Sequence, residues 1–206
     1  MGKGNPKQTE EIVDTNPFVS ETKIDEQFLP LLRGSLMNRY QILWDNNYYI
    51  KFGDWLAEPR YSANYDAFEK IIIRQTGDYL NATLDTNQFI VRDNLYTIVP
   101  KIENVNLRYI LGLINSKFLN WYYQHVLNYE KGEALAQVKR GHIAQLPIPI
   151  AEKSEQQSII ALVNQILAAK KENPAADTRE LERGIDGLVY GLYGVSEEEI
   201  AIIEKI

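Results

Sequence analysis

Lys70-Ile71-Ile72-Ile73-Arg74-Gln75-Thr76-Gly77 is the stretch that decides how this chain reads. Its isoleucine run between two cations is too short for a helix and is built of stiff β-branched side chains. It predicts a buried strand, and Thr76-Gly77-Asp78 predicts the turn that ends it. Further short strands are predicted over 80–84, 88–92 and 95–99, broken at Asp85-Thr86-Asn87 and Asp93-Asn94. Upstream, 40–52 is rich in aromatic and β-branched residues around Asn46-Asn47, which predicts a β-hairpin. Alternation in such a hairpin turns about half of Tyr40, Trp44, Tyr48, Tyr49, Phe52 and Trp55 toward the core. That favours packing over a stacking platform for single strands.

After Pro100 the period changes. Leu107, Ile110, Leu111, Ile114, Phe118, Trp121, Tyr122 and Val126 recur at three- and four-residue steps, predicting one long amphipathic helix. Leu146-Pro147-Ile148-Pro149 cannot be helical and reads as an extended connector. Ser154-Glu155-Gln156-Gln157 reads as a capping box before Ile159, Ile160, Val163, Ile166 and Leu167, a stripe that Lys170, Lys171 and Pro174 close. Leu181, Ile185, Leu188, Val189 and Leu192 form the next stripe, stopped at Gly194. Ser196 and Glu199 form another capping box before Ile200 and Ile203. Neither stripe sustains heptads, so packing within the molecule is expected rather than a free coiled coil. Residues 1 to about 25 are polar, with Pro6 and Pro17, and read as a mobile lead-in. The expectation is an α+β fold, a mixed or antiparallel sheet with a long packed helix, followed by a helical C-terminal appendage. Its divisions are 1–27, 28–150 and 151–206.

The composition bounds the function. The 206 residues are 45% hydrophobic, enough for a core, and contain no cysteine. That excludes disulfides, thiolate nucleophiles and Cys-ligated metals, and it suits a cytoplasmic protein. No apolar run reaches the ~20 residues of a membrane span, and no apolar segment follows Met1–Lys7, so neither a membrane partner nor a signal peptide is expected. The net charge of −6 argues at first against a nucleic-acid partner. Yet residues 151–206 carry 6 Lys+Arg against 11 Asp+Glu, while 101–150 carry 6 against 3. The acidity belongs to the tail, and the body is free to meet DNA.

Catalytic and metal chemistry finds no support. His125 and His142 have no second ligand at metal-site spacing. There is no nucleophile elbow, no Walker loop and no dinucleotide fingerprint, since Gly2-x-Gly4 lacks a preceding strand. Asn16-Pro17-Phe18 lacks the second proline of the (N/D)PP(Y/F) tetrapeptide of amino-methyltransferases. Asp14 with Glu21-Thr22-Lys23 has nuclease-like spacing in a segment without strand character. The chain reads as having no catalytic centre of its own.

An ordered series of local signatures goes further. It runs Pro30-Leu31-Leu32-Arg33-Gly34, Arg39-Tyr40, Tyr49-Ile50-Lys51, Gly53, then 70–77 and Leu95-Tyr96-Thr97-Ile98. Tyr109-Ile110-Leu111-Gly112-Leu113-Ile114-Asn115-Ser116-Lys117 and Gln145-Leu146-Pro147-Ile148-Pro149 complete it. The series, over roughly 28–150, resembles the TaqI-like C-terminal specificity domain. That is the target-recognition part of N6-adenine DNA methyltransferases and of fused type II restriction–modification enzymes. Residues 154–159 are similar to the helix after the recognition domain in type I specificity subunits. Residues 185–200 are similar to the C-terminal helices of the fused enzymes. The resemblance implies a double-stranded DNA recognition module, non-catalytic alone, working with a methyltransferase portion and, in some enzymes, a nuclease portion. S-adenosylmethionine is expected in the methyltransferase portion and no cofactor in this chain, which would be either a C-terminal piece of such an enzyme or a separately encoded specificity module.

An adenine N6-methyltransferase extrudes its target base, so another element must hold the duplex and read its sequence. Reading needs paired donors and acceptors at base edges, Arg for guanine and Gln for adenine. Arg74, Gln75 and Thr76 set such groups at a strand end. Arg33 and Arg39 are candidates for bases or backbone, and Lys139-Arg140 for phosphate, together with Lys51, Arg60, Lys117 and Lys131. The competing readings are a protein-interaction domain acting through the C-terminal helices, an unrecognised enzyme, and general single-strand binding.

Overall fold

The computed structural model describes residues 9–101, 105–128, 130–133 and 136–205. Residues 1–8 of the lead-in, with Pro6, and Glu103 of the basic stretch lie outside them. The elements in chain order are α1 (Glu10–Thr15), β1 (Val19–Ser20), β2 (Phe28–Leu32), β3 (Met37–Asn38), β4 (Gln41–Ile42) and β5 (Tyr49–Lys51). Then come β6 (Lys70–Arg74), β7 (Ala82–Asp85), β8 (Ile90–Val91) and β9 (Leu95–Ile98). The helices α2 (Leu107–Asn115), α3 (Lys117–Tyr122), α4 (Arg140–Ile143), α5 (Lys153–Glu172), α6 (Arg179–Tyr193) and α7 (Glu197–Ile203) complete the chain.

The α+β class holds. β7-β6-β9 is an antiparallel sheet, and β1-β5-β2-β8 is a mixed one in which β2 and β8 run parallel. The predicted strand at 70–74 is the middle strand of the first sheet, and its two faces explain its composition. Ile71 and Ile73 enter one core with Leu80, Leu84, Leu111 and Leu113, whereas Ile72 enters a second with Leu32, Met37, Phe89 and Leu95. A strand buried on both sides has no polar alternation to display. The C-terminal helices share the first core, where Ile159, Val163, Ile166, Ile185 and Val189 are buried. Both stripes therefore pack within the molecule.

The motif 112–117 builds this junction. A Cβ on Gly112 would lie 2.6 Å from Ile159 Cγ2 and 3.1 Å from Val163 Cγ2, so glycine there lets α5 close onto α2. Asn115 behaves as one more strand residue beside β7. Its Nδ2 donates to Ala82 O (2.9 Å) and its Oδ1 accepts from Ala82 N (3.1 Å). Asn120 Oδ1 accepts from Leu80 N at 2.8 Å. Two asparagines thus satisfy backbone that an edge strand would leave bare.

Four sequence expectations need correction. The hairpin across Asn46-Asn47 does not form: β4 pairs back with β3, and β5 pairs with β1 and β2. Tyr48 O is taken by Leu31 N (3.0 Å) and Trp44 Nε1 (2.7 Å), so no local ladder can use it. The long helix breaks at Ser116, whose backbone is extended and whose Oγ caps α3 by accepting from Leu119 N at 3.2 Å. A π-helical turn at Tyr123–Leu127 follows α3. The cap of α5 is Glu152 with Glu155, two residues before Ser154, whereas the box at Ser196 and Glu199 forms as expected. Finally, the lead-in from residue 9 on has regular structure: α1 is capped by Thr9, and β1 pairs with β5. Among the described residues no helix is long and apolar enough to cross a membrane.

Candidate nucleic-acid interface

The ends of β2, β6 and β8 converge with the turn after β8. Arg74 closes β6, and its side chain is held from two directions: Nη1 donates to Gly34 O at 3.4 Å and Nη2 to Tyr79 Oη at 3.0 Å. Gly34 packs tightly between Asn94 and Arg74, since a Cβ would lie 3.0 Å from Asn94 Nδ2 and 3.3 Å from Arg74 Cδ. Asn94 fastens both neighbours, its Oδ1 accepting from Gly34 N (3.3 Å) and its carbonyl from Gln75 N (2.9 Å). Beyond the strand, Thr76 bridges to Gln137, and Gln75 Nε2 donates to Gln137 Oε1 at 3.3 Å. A guanidinium and a bonded pair of amide side chains therefore stand at the end of one strand, whose burial on both faces holds its backbone still.

Arg33 leaves the end of β2 one residue before Gly34. It is exposed, with its guanidinium 4.8 Å from the centre of the Tyr48 ring. Arg92, at the end of β8, reaches the same tyrosine, its Nη1 donating to Oη at 3.1 Å. Lys51 lies over Trp55, 5.3 Å from the ring centre.

The remaining candidates divide by what neutralises them. Arg39 is half-buried beside the tail, with Nη2 donating to Asn115 O and lying 3.1 Å from Glu182. Its Nε is buried with no hydrogen-bond partner, as is that of Arg74. Lys117 pairs with Glu204, and its backbone N–H donates to Asp186 Oδ1 at 2.8 Å. Lys139 pairs with Glu130, whose carboxyl it holds below the usual carboxylate range. Lys131 Nζ contacts His125 Nε2 at 2.8 Å, and His125 stacks on Trp121. Arg60 pairs with Glu58. Arg140 opens α4, exposed. Arg33, Arg74, Lys51, Lys131 and Arg140 have no ion-pair partner among the described residues, and Arg92 has only Asp93 at 4.0 Å.

Sequence reasoning thus gathered Arg33, Arg74, Gln75 and Thr76 at one edge, with Lys139 and Arg140 close along the chain to Gln137. It did not gather Arg39 and Lys117 there; both face the acidic tail. It missed Arg92, Asn94 and Gln137. A signal existed for two of these, since Arg92-Asp93-Asn94 repeats the pattern of Arg74-Gln75-Thr76, a strand end running into a turn.

Comparison with known proteins identifies the family to which these residues belong. The family described as the TaqI-like C-terminal specificity domain matches residues 29–148. A protein of Methanocaldococcus jannaschii, provisionally named a type II restriction enzyme and methyltransferase, is 27% identical over 182 residues. That match covers 84% of this chain and 15% of the relative. The type II methyltransferase M.BanIII of Aneurinibacillus aneurinilyticus is 30% identical over 105 residues, covering 50% of this chain and 18% of its own. The matches to this chain span less than a fifth of either relative.

Proposed function

Because the chain belongs to the TaqI-like C-terminal specificity domain family, we propose that it recognises a specific sequence in double-stranded DNA on behalf of an adenine methyltransferase or restriction–modification enzyme. It has no catalytic centre of its own. The observation that carries this reading is the edge formed by Arg74, Gln75 and Gln137. There a guanidinium held by a backbone carbonyl and a tyrosine hydroxyl, and two amides bonded to each other, offer the groups suited to guanine and adenine edges without a neutralising carboxylate among the described residues. Arg33, Thr76 and Arg140 extend the edge, with Lys51 and Lys131 as further phosphate contacts. Transfer of the methyl group, its S-adenosylmethionine and any cleavage belong to the remaining portion of such an enzyme. That portion would supply the other half of the DNA cleft, so binding by this chain alone is expected to be weak.

The test is selection of duplexes from a random library at low salt. The chain is expected to enrich one short motif, and Arg74→Ala with Gln75→Ala to lose enrichment at one or two of its positions. If no motif emerges, or the motif is unchanged in the double variant, the reading fails. A second reading, a protein-interaction role for the helices, has the open face of α6 in its favour. A Cβ added at Gly187 or Gly191 would meet nothing within 4 Å there, beside the half-exposed Leu188. It predicts no enrichment at all.

A further inference from the structure

Arg33 and Arg92 come from distant parts of the sequence and leave the sheet side by side. β2 and β8 run parallel, with Leu31 opposite Ile90 and Leu32 opposite Val91, so the next residue on each strand is an arginine. Arg92 N donates to Leu32 O at 2.9 Å, which fixes the two departures together. Tyr48 stands with them, offering its ring to Arg33 and its hydroxyl to Arg92. Two guanidiniums held beside one tyrosine repel each other. Among the described residues the one ion pair either of them makes is with Asp93, 4.0 Å from Arg92 Nε at an exposed position, while Glu21 lines the same pocket as Arg33 and Tyr48 without pairing.

The contrast with Arg74 indicates what the pair would hold. Arg74 is fixed by two hydrogen bonds and half-buried, as a group that must present a fork to a base edge should be. Arg33 is exposed and rests only on the Tyr48 ring; Arg92 is half-exposed, with the Tyr48 hydroxyl and, at 4.0 Å, Asp93 as its contacts, so neither guanidinium is pinned from two sides by hydrogen bonds. A phosphate demands only charge and reach, whereas a base demands a fixed plane. We propose that Arg33 and Arg92, set on either side of Tyr48, form a backbone anchor that holds a DNA phosphate next to the Arg74–Gln75 reading edge. This rests on the DNA-recognition reading and assigns a distinct task within it. Gly34 joins the two tasks, since it follows Arg33 in the chain and gives its carbonyl to Arg74.

Fluorescence anisotropy of the full chain with a labelled mixed-sequence duplex, over a salt series, separates the outcomes. Neutralising a phosphate contact lowers the slope of log K against log[salt] by about 0.9. Because the two arginines share one phosphate, Arg33→Gln with Arg92→Gln is expected to lower the slope by about 1 while leaving the selected motif unchanged. Arg33→Lys with Arg92→Lys is expected to keep the slope, because a phosphate accepts a point charge. Tyr48→Phe keeps the ring under Arg33 and removes the hydroxyl from Arg92, so it should lower the slope by less than the double variant. Circular dichroism and urea midpoints certify that each variant folds. An unchanged slope in the Gln double variant overturns the anchor alone. A changed motif in that variant overturns the division of labour, because the pair would then be reading bases. Absence of duplex binding by the unaltered chain at every salt concentration overturns both the anchor and the reading it rests on.

Discussion

Lys70 and Arg74 open and close the same strand, and the molecule treats them in opposite ways. Lys70 is completely buried, 2.7 Å from an equally buried Asp85, which also accepts from Asn87 N (2.7 Å) and Phe89 N (3.0 Å). Arg74 has no carboxylate partner among the described residues; a carbonyl and a tyrosine hydroxyl hold it. The difference extends outward from the strand. On the side of the tail, Glu182 and Glu204 neutralise Arg39 and Lys117. At the ends of β2, β6 and β8, Arg33 and Arg74 stay without such partners, and Arg92 nearly so. A body with little net charge can thus present cations in one direction, because its acids are spent elsewhere.

The largest test of this contrast falls on Lys70. Removing one partner of a buried pair leaves an uncompensated charge, so Lys70→Met is expected to cost about 3–5 kcal/mol in urea unfolding. Adding Asp85→Asn should return at least half of that loss, since the amide oxygen can still serve one backbone donor. Arg74→Met, at the half-exposed end, should cost less than about 1 kcal/mol. Equal losses at the two ends would erase the distinction between a structural cation and a presented one.

A smaller effect concerns Asp186, the buried acid between Arg39 and Lys117. Burial pushes its pKa up to about 6 from 3.8, against the pull of the Lys117 backbone N–H and of Arg39. A carboxyl whose folded pKa is raised contributes stability that is present below the unfolded value and lost as pH rises through the folded one. The native chain should therefore lose on the order of 2 kcal/mol from this group between pH 4 and pH 7. Asp186→Asn keeps an acceptor for Lys117 N and cannot titrate. Its stability relative to the native chain should rise over that interval, and parallel pH profiles for the two proteins would refute the assignment.

What the sequence disclosed follows from the range of the interactions. The run at 70–74 was legible because burial on both faces erases alternation, and the cap at Ser196 because it is a four-residue affair. The hairpin across Asn46-Asn47 misled because Tyr48 and Tyr49 pair with residues far away in the chain. The break at Ser116 was hidden because Asn115 is claimed by Ala82, a contact no local periodicity records. Site residues behaved alike. Arg74 and Gln75 stood out beside a recognisable strand, whereas Arg92 and Gln137 gain their meaning from β2–β8 pairing and the bridge to Thr76. Lys70, one of the two cations flanking the isoleucine run, gains its meaning from Asp85 across the β6–β7 ladder.

The smallest effect sharpens the comparison most. Lys117 belongs to the signature that marks the family resemblance, yet its ammonium meets Glu204, which also accepts from Tyr190 Oη at 2.8 Å. Both members of the pair are partly exposed, so it should contribute no more than about 1 kcal/mol to stability. Lys117→Met is therefore expected to shift the urea midpoint only slightly. If cations facing the tail are already neutralised, the same variant should leave the salt slope of duplex binding where it was, in contrast to Arg33→Gln. Glu204→Gln then becomes the more telling change: it frees Lys117 and lowers the negative charge of the tail, so nonspecific duplex binding should tighten slightly. A slope that falls by about one unit in Lys117→Met would mean that DNA displaces Glu204, and that the tail screens a contact instead of facing away from it.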